Sequence, residues 1–388
     1  MNFSYWEKNT FIKNPDVTII GSGIVGLFTA LFLKIKSPKL HVLVLERGIL
    51  PYGASTRNAG FACYGSPSEL LSDLQVNSEE EVFTLVEKRW KGLKKMREML
   101  GDDTIGYEPF GGYEVFPASP DSLFEKCLSQ LPYLNKHLAS LTGEKEIYQI
   151  ADETISTFGF QKVQHIIRNK GEGQLHTGKM MQTLLSRCRN EGVEILNGVN
   201  VDKFEDLTNG VDVVISNFSP DGKRIPGSSI HTKRLLICSN GFSKKFLPSE
   251  DIEPARAQVL ITKPIENLKV KGSFHFQNGF YYFRNVENRI LLGGGRNLDF
   301  EKEATEEFSL TSKIQDKLDE LLKTMILPDI RYDIDMRWSG IMGLGRQKSP
   351  IIKKTGNNIY CAVRMGGMGI AIGSQVGEDA ADLVLNNF

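Results

Sequence analysis

Gly21, Gly23 and Gly26 stand in the run Gly21-Ser22-Gly23-Ile24-Val25-Gly26, and Glu46 follows twenty positions after the last of them. Residues of these types at this spacing can hold a nucleotide. Gly21 permits a tight turn, Gly23 has no Cβ to keep a pyrophosphate off the backbone, and Gly26 lets a helix pack close to a strand. Amides at the start of that helix, Ile24 and Val25 among them, meet the phosphates with the positive end of the helix dipole. A carboxylate at Glu46 accepts from both ribose hydroxyls and repels a 2′-phosphate. The chemistry is binding of an ADP-ribose-type group, as in NAD or FAD and not NADP.

These residues need a strand, a turn, a helix and a second strand to place them. The sequence supplies all four: an apolar strand at Val17–Ile20, the glycine turn, an apolar helix over 27–33, and a strand over 41–45 that ends in Glu46. A second run of small residues, Gly53-Ala54-Ser55-Thr56-Arg57-Asn58-Ala59-Gly60, follows at the carboxyl end of that strand, beside the crevice where such sheets bind ligands.

At 388 residues the chain is long enough for two domains or one domain with a large insertion. Lys+Arg equals Asp+Glu at 47 each, which gives no support for a nucleic-acid partner. Cys63, Cys127, Cys188, Cys238 and Cys361 are scattered without a CxxC, and the six histidines show no ligand spacing, so no metal site and no disulfide framework are expected. The first ten residues lack a signal-peptide pattern, and the apolar run over 19–33 is too short to span a bilayer. A cytoplasmic protein with no membrane span is expected.

Periodicity predicts helices over 79–100 and 121–141, then 178–192, 303–325 and about 372–385. Short strands are expected over 113–116, 193–196, 211–218 and 234–238, with a turn at Pro220-Asp221-Gly222. Four more, over 258–262, 272–277, 279–285 and 289–293, read as consecutive antiparallel strands. The helices over 79–100 and 121–141 interrupt the αβ alternation and are assigned to another domain. The fold class is α/β (α+β overall): a Rossmann-type nucleotide domain from 1–80, 160–245 and 335–388, with a mixed antiparallel-sheet substrate domain from 81–159 and 246–334.

The ordered segments GSGIVG with Glu46, GASTRNAG, GEGQLHTGKM followed by GVEIL, RAQVL, CSNGFS, RILLGGG, WSGIMG and RMGGMGIAIG form a pattern over nearly the whole chain. It resembles the D-amino-acid-oxidase superfamily of FAD-dependent oxidoreductases, which includes glycine, sarcosine and γ-glutamylputrescine oxidases. GASTRNAG is closest to the amine-oxidising branch. The resemblance implies noncovalent FAD, since no cysteine follows RWSGIMGLG and no histidine lies near GASTRNAG. It places Glu46 and Arg47 near the adenosine. Ala54, Ser55, Arg57, Asn58, Ala59 and Gly60 fall along the pyrophosphate, ribityl chain and flavin ring. Val201 reaches the adenine through its backbone, and Asn240 and Gly241 close that side. Gly366, Gly367, Met368, Gly369 and Ile370 fall at the pyrimidine end of the flavin, where bare amides at a helix N-terminus stabilise the charge developing at N1 and C2=O.

The departures concern the substrate. Met342 stands where glycine oxidases carry an arginine after the tryptophan motif, and Met368 replaces a histidine of the C-terminal loop. Arg284, Arg337, Arg346 and Arg364 are the remaining candidates for a substrate carboxylate, an anion that an arginine fork binds bidentately. Tyr281 and Tyr282, with Trp338 nearby, fall where relatives line the substrate site, and strand alternation lets only one of the two tyrosines face it. His176 reads as a helix-start residue. No general base is identifiable.

The expected reaction is oxidation of a C–N bond in a small amine or amino acid by hydride transfer to flavin N5, giving an imine that hydrolyses. O2 or another acceptor then reoxidises the flavin. Three alternatives stay open: an FAD-dependent dehydrogenase of a hydroxy acid or amine that passes electrons to a quinone or carrier, a non-catalytic flavin-binding protein, and an NAD-dependent dehydrogenase.

Overall fold

Val17–Ile20 is buried along its whole length, which a strand this apolar requires when both faces of its sheet are covered. It forms the middle of a six-stranded sheet in the order Ile351–Lys354, Ile359–Val363, Arg234–Ile237, Val17–Ile20, Val42–Glu46, Glu194–Asn197. All neighbours are parallel except the outer pair Ile351–Lys354 and Ile359–Val363. The chain runs from Val17–Ile20 to one side and later returns to the other, so the strand order reverses at its carboxyl end. A ligand crevice belongs at that switch point. The computed structural model describes residues 3–118, 123–218 and 224–388.

Helix Ile24–Lys36 leaves that strand through the glycine turn and is buried from Ile24 to Leu33. Thr177–Asn190, Gly369–Leu385 and Glu79–Leu100 share its hydrophobic cluster. Glu79–Leu100 thus packs on the nucleotide sheet's helical layer, not away from it. Gly92 faces the C-terminal helix so closely that a Cβ there would lie 2.3 Å from the Ala371 carbonyl oxygen. On the opposite face lies a three-stranded antiparallel sheet, Asn200–Leu207, Gly210–Phe218 and Arg224–Thr232. Two of these strands escape sequence reading because they are polar, and Arg224–Thr232 also carries Pro226 and Gly227. The turn expected at Pro220-Asp221-Gly222 lies outside the described residues, as do the first two residues of the helix expected from 121. That helix is described as Leu123–Thr142.

The second large element is an eight-stranded sheet in the order Ile334–Leu344, Glu253–Thr262, Arg289–Gly294, Tyr281–Val286, Ser273–Phe276, Gly112–Pro117, Val163–Asn169, Tyr148–Ile150. Of the four strands expected to be consecutive and antiparallel, the last three form consecutive hairpins, Ser273–Phe276, Tyr281–Val286 and Arg289–Gly294, whereas Glu253–Thr262 pairs antiparallel with Arg289–Gly294 and not with its sequence neighbour. Val163–Asn169 and Ile334–Leu344 join this sheet as well, although they fall in or across segments assigned to the nucleotide domain from sequence. One face packs on helix Ser312–Leu321 through Phe274, Phe276, Tyr281 and Phe283. The other face turns toward the glycine turn. The helix expected over 303–325 starts only at Ser312, because the preceding residues are tied as a loop by Arg256. Among the described residues, no helix is long and apolar enough to cross a membrane.

The join between the first strand and first helix is tight. A Cβ on Gly26 would sit 2.0 Å from the Gly21 carbonyl oxygen, inside any real contact. Gly26→Ala should therefore cost about 1–3 kcal/mol of stability through overpacking, read as a lower denaturation midpoint of the apoprotein with an unchanged m-value.

Candidate active site

A cavity of about 580 Å³ lies between the two large sheets, within the range of small-molecule sites. One end is built by the first glycine turn, Glu46 and Arg47. Glu46 is 7% exposed, and each of its oxygens already takes a backbone N–H. Oε2 accepts from Ser22 N at 3.1 Å and Ser22 Oγ at 2.9 Å, and Oε1 accepts from Gly48 N at 2.8 Å. The carboxylate is thereby fixed at the end of its strand with its remaining lone pairs on the cavity. Arg47 stacks 3.9 Å over the Phe242 ring at the same end.

The GASTRNAG segment forms the cavity floor. Ser55 Oγ accepts from Ile24 N at 2.9 Å, so this hydroxyl sits on the first helix's N-terminus. Arg57 lies against the rings of Tyr52 and Phe308 and donates to the Ser339 carbonyl. Asn58 braces the segment from within. Its Nδ2 donates to the carbonyls of Ala54 and Ser55, and its Oδ1 accepts from Gly60 N and Thr177 Oγ1. Trp338 lies outside the cavity lining and donates from Nε1 to the Arg57 carbonyl.

Opposite, Asn240 takes a positive φ of 45° and its Oδ1 accepts from Arg364 N and Met365 N. This ties the Asn240–Phe242 turn to the C-terminal glycine loop. Gly366 has φ +60°, and a Cβ there would meet nothing within 4 Å. The following helix Gly369–Leu385 has no side-chain cap, so its first amides stay open beside the cavity.

These features fit FAD. Glu46 supplies acceptors for a ribose, the two helix starts suit a pyrophosphate and a developing negative charge, and glycines leave bare backbone where a planar ring would lie. Gly21, Gly23, Ile24, Val25, Glu46, Arg47, Val201, Asn240 and Gly241 all line the cavity. So do Ala54, Ser55, Arg57 to Gly60, and Gly366 to Ile370. Gly26 does not, being spent on helix–strand packing. The Val201 carbonyl accepts from Lys245 Nζ at 2.9 Å.

The four arginines expected at a substrate carboxylate are held elsewhere, and none lines the cavity. Arg284 is buried behind the floor, donating to the carbonyls of Gly60 and Leu175; burial pulls it down to about 10. Arg337 binds Gln315 and both oxygens of Asp319. Arg346 is at the surface, its side chain 92% exposed. Arg364 is clamped by Asp251 and the Ser349 carbonyl. Of the tyrosine pair, Tyr281 points into the core and Tyr282 lines the cavity. The Tyr282 ring lies against Gly293, where a Cβ would come within 2.6 Å of it. His176 caps the helix Thr177–Asn190, accepting from Lys179 N.

Besides Arg47 and Arg57, the arginine that reaches the cavity is Arg296, directly after the glycine break Gly293-Gly294-Gly295. Its guanidinium stacks 4.7 Å over Phe300 and, among the described residues, has no hydrogen bond or ion pair. A cation placed straight after a run of glycines that ends a strand is the signal that sequence reading passed over. The fold also assembles what spacing did not show: Cys63, Glu172 and His275 bring ligand atoms within 4.8 Å of one another. Burial raises the Cys63 thiol well above its usual value and Glu172 to about 7, although Glu172 accepts from Tyr64 N and Gly65 N.

The family model for FAD dependent oxidoreductases, DAO, matches residues 16–383. The chain is 24% identical to a probable oxidoreductase OrdL from Rhizobium meliloti (strain 1021), over 96% of this chain and 83% of that protein. It is 25% identical to the mitochondrial L-2-hydroxyglutarate dehydrogenase of Dictyostelium discoideum, over 77% of this chain and 69% of that protein. Glycine oxidase from Bacillus cereus ATCC 14579 has the same fold, with a TM-score of 0.73 at 17% identity over 97% of this chain and 96% of that chain. A match of this extent agrees with a crevice shaped for a dinucleotide at the strand-order switch, and the chain belongs to the DAO family of FAD-dependent oxidoreductases.

Proposed function

We propose that the protein oxidises the C–N bond of a small amino acid or related amine, giving an imine that hydrolyses to a carbonyl compound and a smaller amine. When bound, FAD supplies the acceptor for the substrate's hydride. The observation that carries the reading is the unpaired guanidinium of Arg296 in the cavity lining, three residues beyond Gly293, the strand partner of Tyr282. A carboxylate is the anion such a fork recognises, and it would hold the substrate's α-carbon in one place. Tyr282 and Phe61, whose rings are 5.7 Å apart, give that part of the cavity an apolar wall that excludes water. The reading is supported by the glycine oxidase of shared fold.

A second reading is kept alive by the relative named L-2-hydroxyglutarate dehydrogenase: a hydroxy acid would present the same carboxylate to Arg296. FAD is read as noncovalent. Cys63, which lines the cavity, has its Sγ 3.4 Å from Ser273 Oγ. Electrons then pass to O2 or another acceptor.

The deciding experiment is anaerobic titration of the yellow holoenzyme with glycine, sarcosine, L-proline, iminodiacetate, putrescine and L-2-hydroxyglutarate. Bleaching of the flavin by an amino acid, and not by the hydroxy acid, is the expected result; the reverse pattern overturns it. Acid precipitation should leave the flavin in the supernatant. Arg296→Met should raise KM for a carboxylate-bearing substrate about 10- to 100-fold, the equivalent of one lost charged hydrogen bond, with kcat changed far less.

A further inference from the structure

Strand Ser273–Phe276 alternates sharply. Phe274 and Phe276 enter the core, so Ser273 and His275 face the cofactor side. His275 stands opposite Tyr282 on one neighbouring strand and Glu114 on the other. It is 8% exposed and lines the cavity. Among the described residues, neither ring nitrogen has a hydrogen-bond partner. Such a side chain, buried and open only to a cavity, is costly unless a ligand satisfies it.

Glu69 reaches the same end from helix Pro67–Leu74. Its Oε2 is used in a capping box, accepting from Ser66 N at 3.3 Å and Ser66 Oγ at 3.0 Å. Its Oε1 has no hydrogen bond among the described residues. It points at the turn after the His275 strand, where a Cβ on Gly279 would lie 2.5 Å away. Gly279 has φ +77° and also lines the cavity, so a glycine there serves both the turn and access to this oxygen.

We propose that Glu69 and His275 form the proton-accepting station of the substrate end: Glu69 draws the ammonium group of the incoming amine, and a ring nitrogen of His275 takes its proton. The substrate N–H bond breaks, its electron pair stays on nitrogen, and a new N–H bond forms on the imidazole. The neutral amine is the form that can lose a hydride from its α-carbon. The inference rests on the reading of this cavity as an amine-oxidation site.

The surrounding charges suit the roles. Burial opposes a charge on Glu69, but His275, Lys348 and Arg89 outweigh it and hold this carboxyl below its ordinary value. Burial pushes His275 below its ordinary value, with Glu69 opposing, the direction that favours an imidazole able to accept a proton. The other titratable groups facing the ring are Cys63 and Glu172 behind it, with Glu114 and Tyr282 on the adjoining strands. Burial favours the neutral form of all four.

The test is the rate of anaerobic flavin reduction at saturating substrate between pH 5 and 10, using whichever amine of the panel above bleaches the holoenzyme. The wild-type rate should fall tenfold per pH unit below the imidazole's pKa. His275→Gln should displace that limb upward to the pKa of the amine itself and lower the rate at pH 7 about 100-fold, with recovery toward wild type at pH 10, where the amine is already neutral. Glu69→Gln should shift the limb to lower pH, because the imidazolium loses its nearest counter-charge, and should raise KM. Flavin content of both variants, read from the visible spectrum, separates a lost proton acceptor from a misfolded site. Bleaching by an amine with an unchanged pH profile in both variants overturns the inference and leaves the amine-oxidation reading standing. Failure of every amine to bleach the wild type overturns both.

Discussion

Replacing Arg256 with glutamine should lower the stability of the apoprotein by about 3–5 kcal/mol, the range for breaking a buried ion pair from one side. Arg256 and Glu303 side chains are 4% and 0% exposed. Arg256 Nε and Nη2 donate to the two carboxylate oxygens at 2.9 and 2.7 Å, and Gln258 Nε2 adds a third donor to Oε1 at 2.9 Å. Without the guanidinium, Glu303 keeps its desolvation and loses its counter-ion. The cost does not stop there, because Arg256 also donates to the carbonyls of Lys302 and Glu307 and to Ser309 Oγ. One side chain on strand Glu253–Thr262 therefore pins the whole loop that follows Arg296. That loop carries Phe308, whose ring meets Tyr52 edge-on and lies under the Arg57 guanidinium at the cavity floor. Arg256→Gln should thus also weaken FAD binding, although it touches no part of the cavity. The paired change Arg256→Met with Glu303→Leu should recover most of the stability, since removing both charges also removes the desolvation penalty. Denaturant melts of the three proteins check this; a loss under 1 kcal/mol for the single change would refute the account.

The same cavity shows why its two ends differ in legibility. The nucleotide end is written in short range. Gly21 is required by its own φ of +103°, Gly26 by the Gly21 carbonyl five residues back, and Glu46 by the strand it ends, so residue type and spacing carry the information. The C-terminal glycine loop is legible for the same reason: Gly366 needs a positive φ and an open backbone.

The substrate end is assembled from distant segments. Arg296, Glu69 and His275 meet only through sheet register and the placement of helix Pro67–Leu74, which no local pattern encodes. Arginine is as common in structural clamps as in ligand sites, and three of the four candidates read from sequence, Arg284, Arg337 and Arg364, are clamps already holding carbonyls or carboxylates, while Arg346 lies exposed at the surface. Arg284, for instance, is drawn by Gly60 and Leu175 to the back of the floor. The tyrosine pair was legible as a pair, since alternation sends one residue each way. Which one faces the cavity depends on the pairing His275↔Tyr282, a long-range fact. Helix Glu79–Leu100 was legible as a helix, but its partner was not: Gly92 is the trace of its close approach to Ala371, nearly three hundred residues on.

Glu46→Gln should weaken FAD binding about 10- to 100-fold, even though the substitution preserves shape. Each carboxylate oxygen faces a backbone donor, Ser22 N on one side and Gly48 N on the other. An amide has one acceptor and one NH2 group. Whichever way it turns, its NH2 confronts an N–H, so one buried donor goes unpaired and the side chain is pushed off its position. The charge that would accept two ribose hydroxyls is lost as well, and hydrogen bonds to charged groups contribute about 1.5–3 kcal/mol each. The loss should appear in flavin titration of the apoprotein, followed by absorbance. Glu46→Asp gives the complementary result: it keeps the charge but withdraws the oxygens by one methylene, so it should fall between wild type and glutamine. If glutamine binds FAD as tightly as the natural residue, Glu46 serves only to brace the turn between Ser22 and Gly48, and the ribose is held by other groups. If aspartate binds more weakly than glutamine, reach matters more than charge at this position, and the carboxylate's role is to set the strand end at its proper distance from the ligand.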